Sequence, residues 1–294
     1  MKISVVFRAF RPSFLILTPV CILLGISTSL AIQSPIDLVM VSLIFVGAVF
    51  AHISVNTLNE YYDFKSGLDF KTNKTPFSGG SGALPDNPEL AKAVLVIGWL
   101  SLMLTVLVGI YLLSERGIQV MPIGIIGIAV IITYTQWLNR YPLLCLIAPG
   151  LGFGLLMVVG THVVLTGEYS QLTWLGSLVP FFLVNNLLLL NQYPDMEADK
   201  SVGRKTFPIV FGLNKSNLVY TMFMLAAYLM IVGLIIMGAI PYLSFIALTP
   251  MIFSLFALYG AIKYSARIGE FPHYLGANVA ATILTPLLLA VSIL

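Results

Sequence analysis

Long apolar runs, broken by short polar connections, set the architecture of this chain. Nine of them are long enough to cross a bilayer: residues 14–32, 38–58, 91–113, 118–138, 143–166, 172–193, 217–239, 242–263 and 274–294. A hydrocarbon core about 30 Å thick takes about 20 helical residues. A segment in lipid must satisfy its own backbone, so each run is read as a helix. Continuity of apolar residues, not periodicity, carries the assignment. The expected fold is all-α: nine transmembrane helices around a central cavity, capped by the loops between helices 2 and 3 and between helices 6 and 7. Lys2, Arg8 and Arg11 ahead of an apolar run have the look of a signal peptide. The run from Phe14 to Ile32 is of spanning length and many more follow, so it is taken as the first helix.

Composition agrees with this pattern. The chain is 59% hydrophobic and 9% charged, against roughly 45–50% and 25% in soluble domains. The basic residues add an orientation. With the N-terminus in the cytoplasm, 14 of the 15 Lys and Arg residues fall on the cytoplasmic side and only Arg116 faces out. The protein is expected in the cell inner or plasma membrane, with its C-terminus outside. Cys21 and Cys145 lie in or beside apolar runs and are read as small packing residues.

Two polar stretches interrupt the pattern, Asn56–Asp69 after the second run and Asn191–Thr206 after the sixth. Asn59, Tyr61 and Asp63 align with Asn191, Tyr193 and Asp195 at a constant offset of 132 residues. That echo hints at a duplicated four-helix unit within a single domain, 1–294. Six of the twelve acidic residues lie here: Glu60, Asp63, Asp69, Asp195, Glu197 and Asp199. On a continued helix Asn56, Asn59 (or Glu60) and Asp63 share one face, with His52 a turn deeper. Asn191, Asp195 and Asp199 repeat the spacing, and Pro194 should kink or end the sixth helix. Each stretch offers an amide oxygen and two carboxylates, hard ligands suited to magnesium.

Basic residues stand beside the acids. Lys65, Lys71 and Lys74 follow the first motif. Lys200, Arg204 and Lys205 follow the second, and Arg140 is on the same face. Metal with Lys and Arg is what a departing diphosphate needs as its charge grows. Each basic residue has an alternative as a headgroup-facing, positive-inside residue. Gly79, Gly80 and Gly82 lie between the first motif and the third helix. They allow close backbone approach to an anion, or simply a flexible connection. A transporter also puts carboxylates in membranes, but both motifs here sit at helix ends on one face. The D-G-x-x-A-R signature of a CDP-alcohol phosphotransferase is absent.

Two acidic, asparagine-led motifs after the second and sixth of nine helices resemble the UbiA-type intramembrane prenyltransferases. Asn59, Asp63 and Asp69 match the family's N-D-x-x-D pattern with its further Asp, and Glu60 stands where Asp is usual. Asp195 and Asp199 match its second motif. The spacing from Asp63 to Asp69 and the run Asp199–Thr206 followed by Phe211-Gly212 are similar to the branch that prenylates 1,4-dihydroxy-2-naphthoate. The resemblance implies that Asn59, Asp63, Asp69, Asp195 and Asp199 hold magnesium or manganese, with Asp63, Asp195 and Asp199 catalytic. It implies Lys65, Lys71, Lys74, Arg140, Lys200, Arg204 and Lys205 around the diphosphate. It also implies an acceptor or cation pocket from His52, Asn56, Tyr62, Tyr134 and Asn191, with Tyr61, Trp137 and Tyr193 as further candidate aromatic faces. The implied reaction transfers a polyprenyl group from an isoprenoid diphosphate to an aromatic quinone precursor. 4-Hydroxybenzoate, homogentisate and glycerol-phosphate acceptors remain alternatives. The expected partners are the bilayer, the polyprenyl diphosphate and the acceptor, with no nucleic acid; the oligomeric state stays open. His162 and His273 receive no role.

Overall fold

The computed structural model describes residues 2–294, with side chains from residue 4 onward; the Lys2 side chain lies outside them. A short helix α1 (Lys2–Ala9) precedes the bundle. The bundle comprises α2 (Leu17–Ala31), α3 (Leu38–Ser66), α4 (Ala91–Arg116), α5 (Ile118–Thr133), α6 (Pro142–Thr166), α7 (Gln171–Asn191), α8 (Leu213–Ile236), α9 (Met251–Tyr264) and α10 (Pro272–Ile293). Among the described residues there is no strand. Among the described residues eight helices are of membrane length, α9 counting as Tyr242–Glu270 with its flanking 3-10 segments, and α5 is a ninth, shorter apolar helix.

The expected fourth run, 118–138, is therefore shorter than its composition implies. The helix stops at Thr133 and the chain turns through 134–137. The Asn139 side chain holds this turn by donating to the Thr135 carbonyl. At 1.5 Å per residue α5 spans only about 24 Å. The second run departs the other way and stays helical to Ser66. Its N-cap, Asp37, accepts from the amides of Val39 at 2.9 Å and Met40 at 3.2 Å, worth about 1 kcal/mol. Gly67, at φ 77°, ends it. The first acidic motif thus rides on rigid helix. The last two of the nine runs pair α9, preceded by a 3-10 segment Tyr242–Leu248, with α10.

Lipid tails are as apolar as Leu, so burial in lipid gives helices little drive to associate; close packing and polar contacts hold them instead. At Gly98 on α4 an added Cβ would stand 2.9 Å from Leu58 Cδ2 and Thr57 Oγ1 of α3. Ser54 Oγ donates to the Gly98 carbonyl at 2.9 Å in the same contact. The α6–α7 contact is similar. Pro149 lies inside α6, and the amide of Gly150 donates to Asn185 Oδ1 of α7 at 2.6 Å. A π-helical segment, Leu151–Met157, follows. The main core joins α2, α7, α8, α9 and α10, and a second core joins α2, α3, α4 and α6. From Met121 to Thr133 no residue of α5 is buried. One side of α5 meets lipid and the other lines the cavity described next.

Candidate active site

A cavity of about 820 Å³ runs down the bundle from the acidic motifs. Its deep part is lined by apolar side chains of α3 to α6, among them Ile44, Val108, Ile128 and Leu156. Its mouth is lined by Asn56, Asn59, Asp63, Asp69, Asn191, Asp195, Asp199 and Arg204. The two motifs, 132 residues apart, therefore form one site. Arg204 joins them. Its Nη1 donates to Asp199 Oδ1 at 3.0 Å, and its Nη2 donates to Asp63 Oδ1. A planar guanidinium reaches two carboxylates where an ammonium is a single point charge.

The second motif lies where α7 ends at Asn191 and the chain turns through Pro194, as the proline required, into a short helix Met196–Ser201. That turn brings Asp195 under the glycine-rich loop. The Gly79 amide donates to Asp195 Oδ2 at 3.0 Å. Gly79 and Gly80 have φ of 80° and 75°, a region costly for other residues. A Cβ on Gly80 would stand 2.7 Å from Asp69 Oδ1. The loop backbone thus touches carboxylates of both motifs.

Glu60 faces away from the cavity lining and holds this loop. It is fully buried and accepts from the Ser81 amide at 3.2 Å, from the Ser81 hydroxyl, and from Arg11 Nη2 at 3.3 Å. Arg8 donates to the Ser81 carbonyl at 2.9 Å. The extra methylene of Glu over Asp reaches the loop rather than the metal side. Arg11 also lines the cavity. In the sequence Arg8 and Arg11 stand only as orientation charges ahead of the first helix, and nothing there signals a site role for Arg11, 49 residues before Glu60.

Of the seven basic residues expected at the diphosphate, Arg204 lines the cavity. Lys65, Lys71, Lys74, Arg140, Lys200 and Lys205 are exposed and lie outside its lining. Lys71 instead donates to Ser201 Oγ at 3.2 Å, and Lys74 pairs with Asp86 at 3.9 Å. A long, strongly hydrated ammonium gains by reaching water at a helix end.

The candidate pocket residues divide as well. Asn56 and Asn59 line the mouth and donate to the Phe10 carbonyl at 2.9 Å and Thr135 Oγ1 at 3.3 Å. Tyr134 and Asn191 are at the same end. His52 lines the cavity too, with Nδ1 2.8 Å from Thr18 Oγ1 and its ring edge-on to Phe153. Eleven residues of helix put it about 16 Å deeper than Asp63, beside the apolar channel rather than the charged mouth. Tyr62 packs on Tyr61, with ring centroids 5.3 Å apart, and lies outside the lining. Tyr193 is buried in the main core and donates to Asn217 Oδ1 at 2.8 Å, while Trp137 is exposed. Phe14, Phe77 and Phe153 line the cavity instead. Cys21 is a free core thiol; Cys145, also free, lines the cavity and accepts from Gln192 Nε2 at 3.6 Å. His162 sits among Thr28 and Ser29, and His273 against Tyr274.

Electrostatics mark the mouth as a site for cations. Burial, reinforced by Glu60 and Asp63, pushes the Asp69 carboxyl up to about 7. Burial and then Asp199 push Asp195 to about 7. Burial also raises Asp199, against the pull of Arg204. Burial opposes the charge of Arg204, but Asp63 and Asp199 outweigh it and raise its pKa. Asp69 Oδ2 and Asp195 Oδ1 are buried without a partner among the described residues. Two orphaned hard oxygens, on residues that line one cavity, fit a hydrated magnesium ion. Among the described residues no three His, Cys, Asp or Glu side chains gather into a closed metal cluster. Open carboxylates suit an ion that keeps waters and shares its shell with phosphate oxygens.

The helical bundle, the polar mouth and the apolar channel beneath it define an integral membrane protein built to hold an amphiphile with a charged head. The chain belongs to the UbiA prenyltransferase family, whose profile matches residues 18–290, and is an intramembrane prenyltransferase. It is 29% identical over 243 residues to the 1,4-dihydroxy-2-naphthoate octaprenyltransferase of Bacillus subtilis (strain 168), covering 80% of this chain and 75% of that protein. In fold it is similar to the apo structure of a UbiA homolog from Aeropyrum pernix K1, with a TM-score of 0.71, 15% identity, and 96% and 98% of the two chains covered. It is also similar to a UbiA homolog from Archaeoglobus fulgidus bound to GPP and Mg2+, with a TM-score of 0.63, 14% identity, and 95% and 99% covered.

Proposed function

We propose that the chain transfers a polyprenyl group from an isoprenoid diphosphate to 1,4-dihydroxy-2-naphthoate, with magnesium as cofactor. The observation that carries this reading is the meeting of both acidic motifs over Arg204 at the mouth of an apolar channel. The channel takes the tail and the mouth takes the head. Asp69 and Asp195 are the first metal ligands, with Asp63, Asp199 and Asn59 beside them. When bound, magnesium neutralises charge growing on the leaving diphosphate. Arg204 and Arg11 add fixed positive charge at the same end, and the Gly79 and Gly80 backbone closes over it. The exposed lysines supply a positive field that draws an anion toward the mouth.

The reaction breaks the C1–O bond of the allylic diphosphate and forms a C–C bond to an electron-rich ring carbon. That carbon releases a proton or, where carboxylated, carbon dioxide. The allylic cation between these steps must be kept from water. Tyr134 and Phe77 line the cavity at that end and offer π-faces for it. The naphthoate assignment is supported by the Bacillus subtilis relative and by the match at Asp63–Asp69 and Lys200–Thr206. The skew of basic residues supports a cytoplasmic N-terminus and active site, an outside C-terminus, and the inner or plasma membrane.

The test is acceptor competition in one assay with purified protein, magnesium and a labelled polyprenyl diphosphate. Dihydroxynaphthoate is prenylated in preference to 4-hydroxybenzoate, homogentisate and a glycerol phosphate ether. Preference for any of the other three overturns the naphthoate assignment.

A further inference from the structure

The charged lining of the mouth is accounted for by metal and diphosphate. A neutral set of polar atoms is not. Asn191 Oδ1, Gln192 Oε1 and Thr206 Oγ1 are buried, belong to side chains that line the cavity, and have no hydrogen-bond partner among the described residues. Buried polar atoms are nearly always paired, and each exception calls for an explanation. Three lie between residues 191 and 206, beside the second motif.

Each is held in place by something other than a partner for its free atom. Gln192 Nε2 donates to Cys145 Sγ at 3.6 Å. Whichever way round its amide is set, one of its two polar atoms is left without a partner. Thr206 is the N-cap of the helix Phe207–Phe211, with extended backbone at φ −66° and ψ 163°, yet its hydroxyl makes no capping bond. The usual work of a Thr at that position is left undone. Its backbone is fixed by its neighbour, whose Lys205 amide donates to the Asn139 carbonyl at 2.8 Å. Asn191 closes α7. Gln192 is three residues from Asp195 and Thr206 two from Arg204, so the set flanks the charged mouth and not the deep channel. A neutral ligand that both donates and accepts hydrogen bonds fits it, and a hydroxyl does both.

We propose that Gln192, with Thr206 and Asn191, forms the subsite that binds a phenolic hydroxyl of the acceptor. This rests on the aromatic-prenylation reading above and adds which group of the acceptor is recognised. The Gln192 amide oxygen takes the acceptor O–H, and the Thr206 hydroxyl completes the contact. An O–H held to a neutral acceptor keeps electron density on the phenolic oxygen and fixes which ring carbon turns toward the allylic carbon. The amide cannot remove the proton, so the subsite orients rather than acts as base.

The experiment compares wild type, Gln192→Leu and Thr206→Val with the hydroxylated acceptor and with its O-methyl ether at the same position. A site built around a substrate hydroxyl strongly rejects the analogue lacking it, because its buried groups are left unpaired. Wild type should prefer the free hydroxyl by at least roughly 100-fold in kcat/KM. Each variant should lose roughly 10- to 100-fold in kcat/KM for that acceptor. The loss should fall on acceptor KM rather than prenyl diphosphate KM, and the preference over the ether should shrink. Thr206→Val conserves shape, so it tests the subsite even where Gln192→Leu fails to fold. Unchanged acceptor KM and unchanged discrimination in Thr206→Val and in the folded Gln192 variant would mean that only water meets these atoms, and would overturn the proposal. Diphosphate release without transfer to any hydroxylated aromatic would overturn the parent reading and this subsite with it.

Discussion

Shortening Glu60 by one methylene separates two roles for the acidic motif. Glu60→Asp restores the residue usual at this position in related motifs. It also draws the carboxylate back by about 1.5 Å, one C–C bond. The contact to the Ser81 amide at 3.2 Å then stretches beyond hydrogen-bonding range, while the long Arg11 side chain, at 3.3 Å, can follow the carboxylate. Hydrogen bonds to a charged group contribute about 1.5–3 kcal/mol each. Losing one, about 2 kcal/mol, shifts the balance between closed and open loop roughly 30-fold, at 1.4 kcal/mol per factor of ten. Because Gly79 of that loop meets Asp195, opening lowers the fraction of protein ready to bind, and apparent affinity falls with that fraction. The expected result is a 3- to 30-fold rise (roughly) in KM for the prenyl diphosphate, with the magnesium half-saturation point unchanged. Steady-state kinetics give both numbers, and thiol labelling of Ser78→Cys in the two backgrounds reports loop opening directly. A tighter magnesium requirement in Glu60→Asp with no change in KM or labelling would show that position 60 is a ligand and refute the clamp.

Other predictions follow from the same geometry. Arg204→Lys should lower kcat/KM by roughly tenfold or more, since a point charge cannot serve Asp63 and Asp199 together; near-normal turnover would remove Arg204 from the site. Asp69 and Asp195 titrate near 7, and only their charged forms bind metal, so apparent magnesium affinity should rise with pH and weaken as pH falls below about 7. The sign for stability is opposite. Without ligand the native state holds more protons than the unfolded state between the ordinary carboxylate range and 7, so the ligand-free melting temperature should fall as pH rises through that window. A flat magnesium titration from pH 6 to 8 contradicts this. Cysteines placed at Ser66 and Ser201 should label only from the cytoplasm and one at Ser114 only from outside; opposite labelling of Ser66 and Ser201 breaks the single site.

How legible the protein is depends on what each feature encodes. Membrane spans announce themselves, because crossing lipid demands a long apolar run. Even so the run 118–138 hides a turn at 134–137, where only Thr135 and Gln136, between Tyr134 and Trp137, interrupt the apolar run. The carboxylates were legible because charge in such a chain is rare. Lysines at the same helix ends were ambiguous, since positive charge at a headgroup and at a substrate read alike, and the structure leaves six of seven basic candidates exposed. Arg11 was hidden by distance, 49 residues from the Glu60 it meets. Gln192 and Thr206 carry no charge or motif, so only unpaired burial singles them out. Tyr193 matched Tyr61 in the internal echo but serves the core, where its hydroxyl is already paired with Asn217.

The most direct measurement is magnesium-dependent diphosphate release from a labelled prenyl diphosphate, by wild type and by Asp63→Asn and Asp195→Asn proteins shown to be folded. Each substitution keeps shape and removes one charged oxygen ligand from the mouth. Wild type should release diphosphate only with magnesium or manganese, and both variants should lose at least roughly 100-fold in kcat, the scale seen when a preorganised charge-stabilising group is removed. Undiminished release in excess chelator, or near-normal turnover by both variants, would contradict the claim that the two motifs form one metal-dependent site.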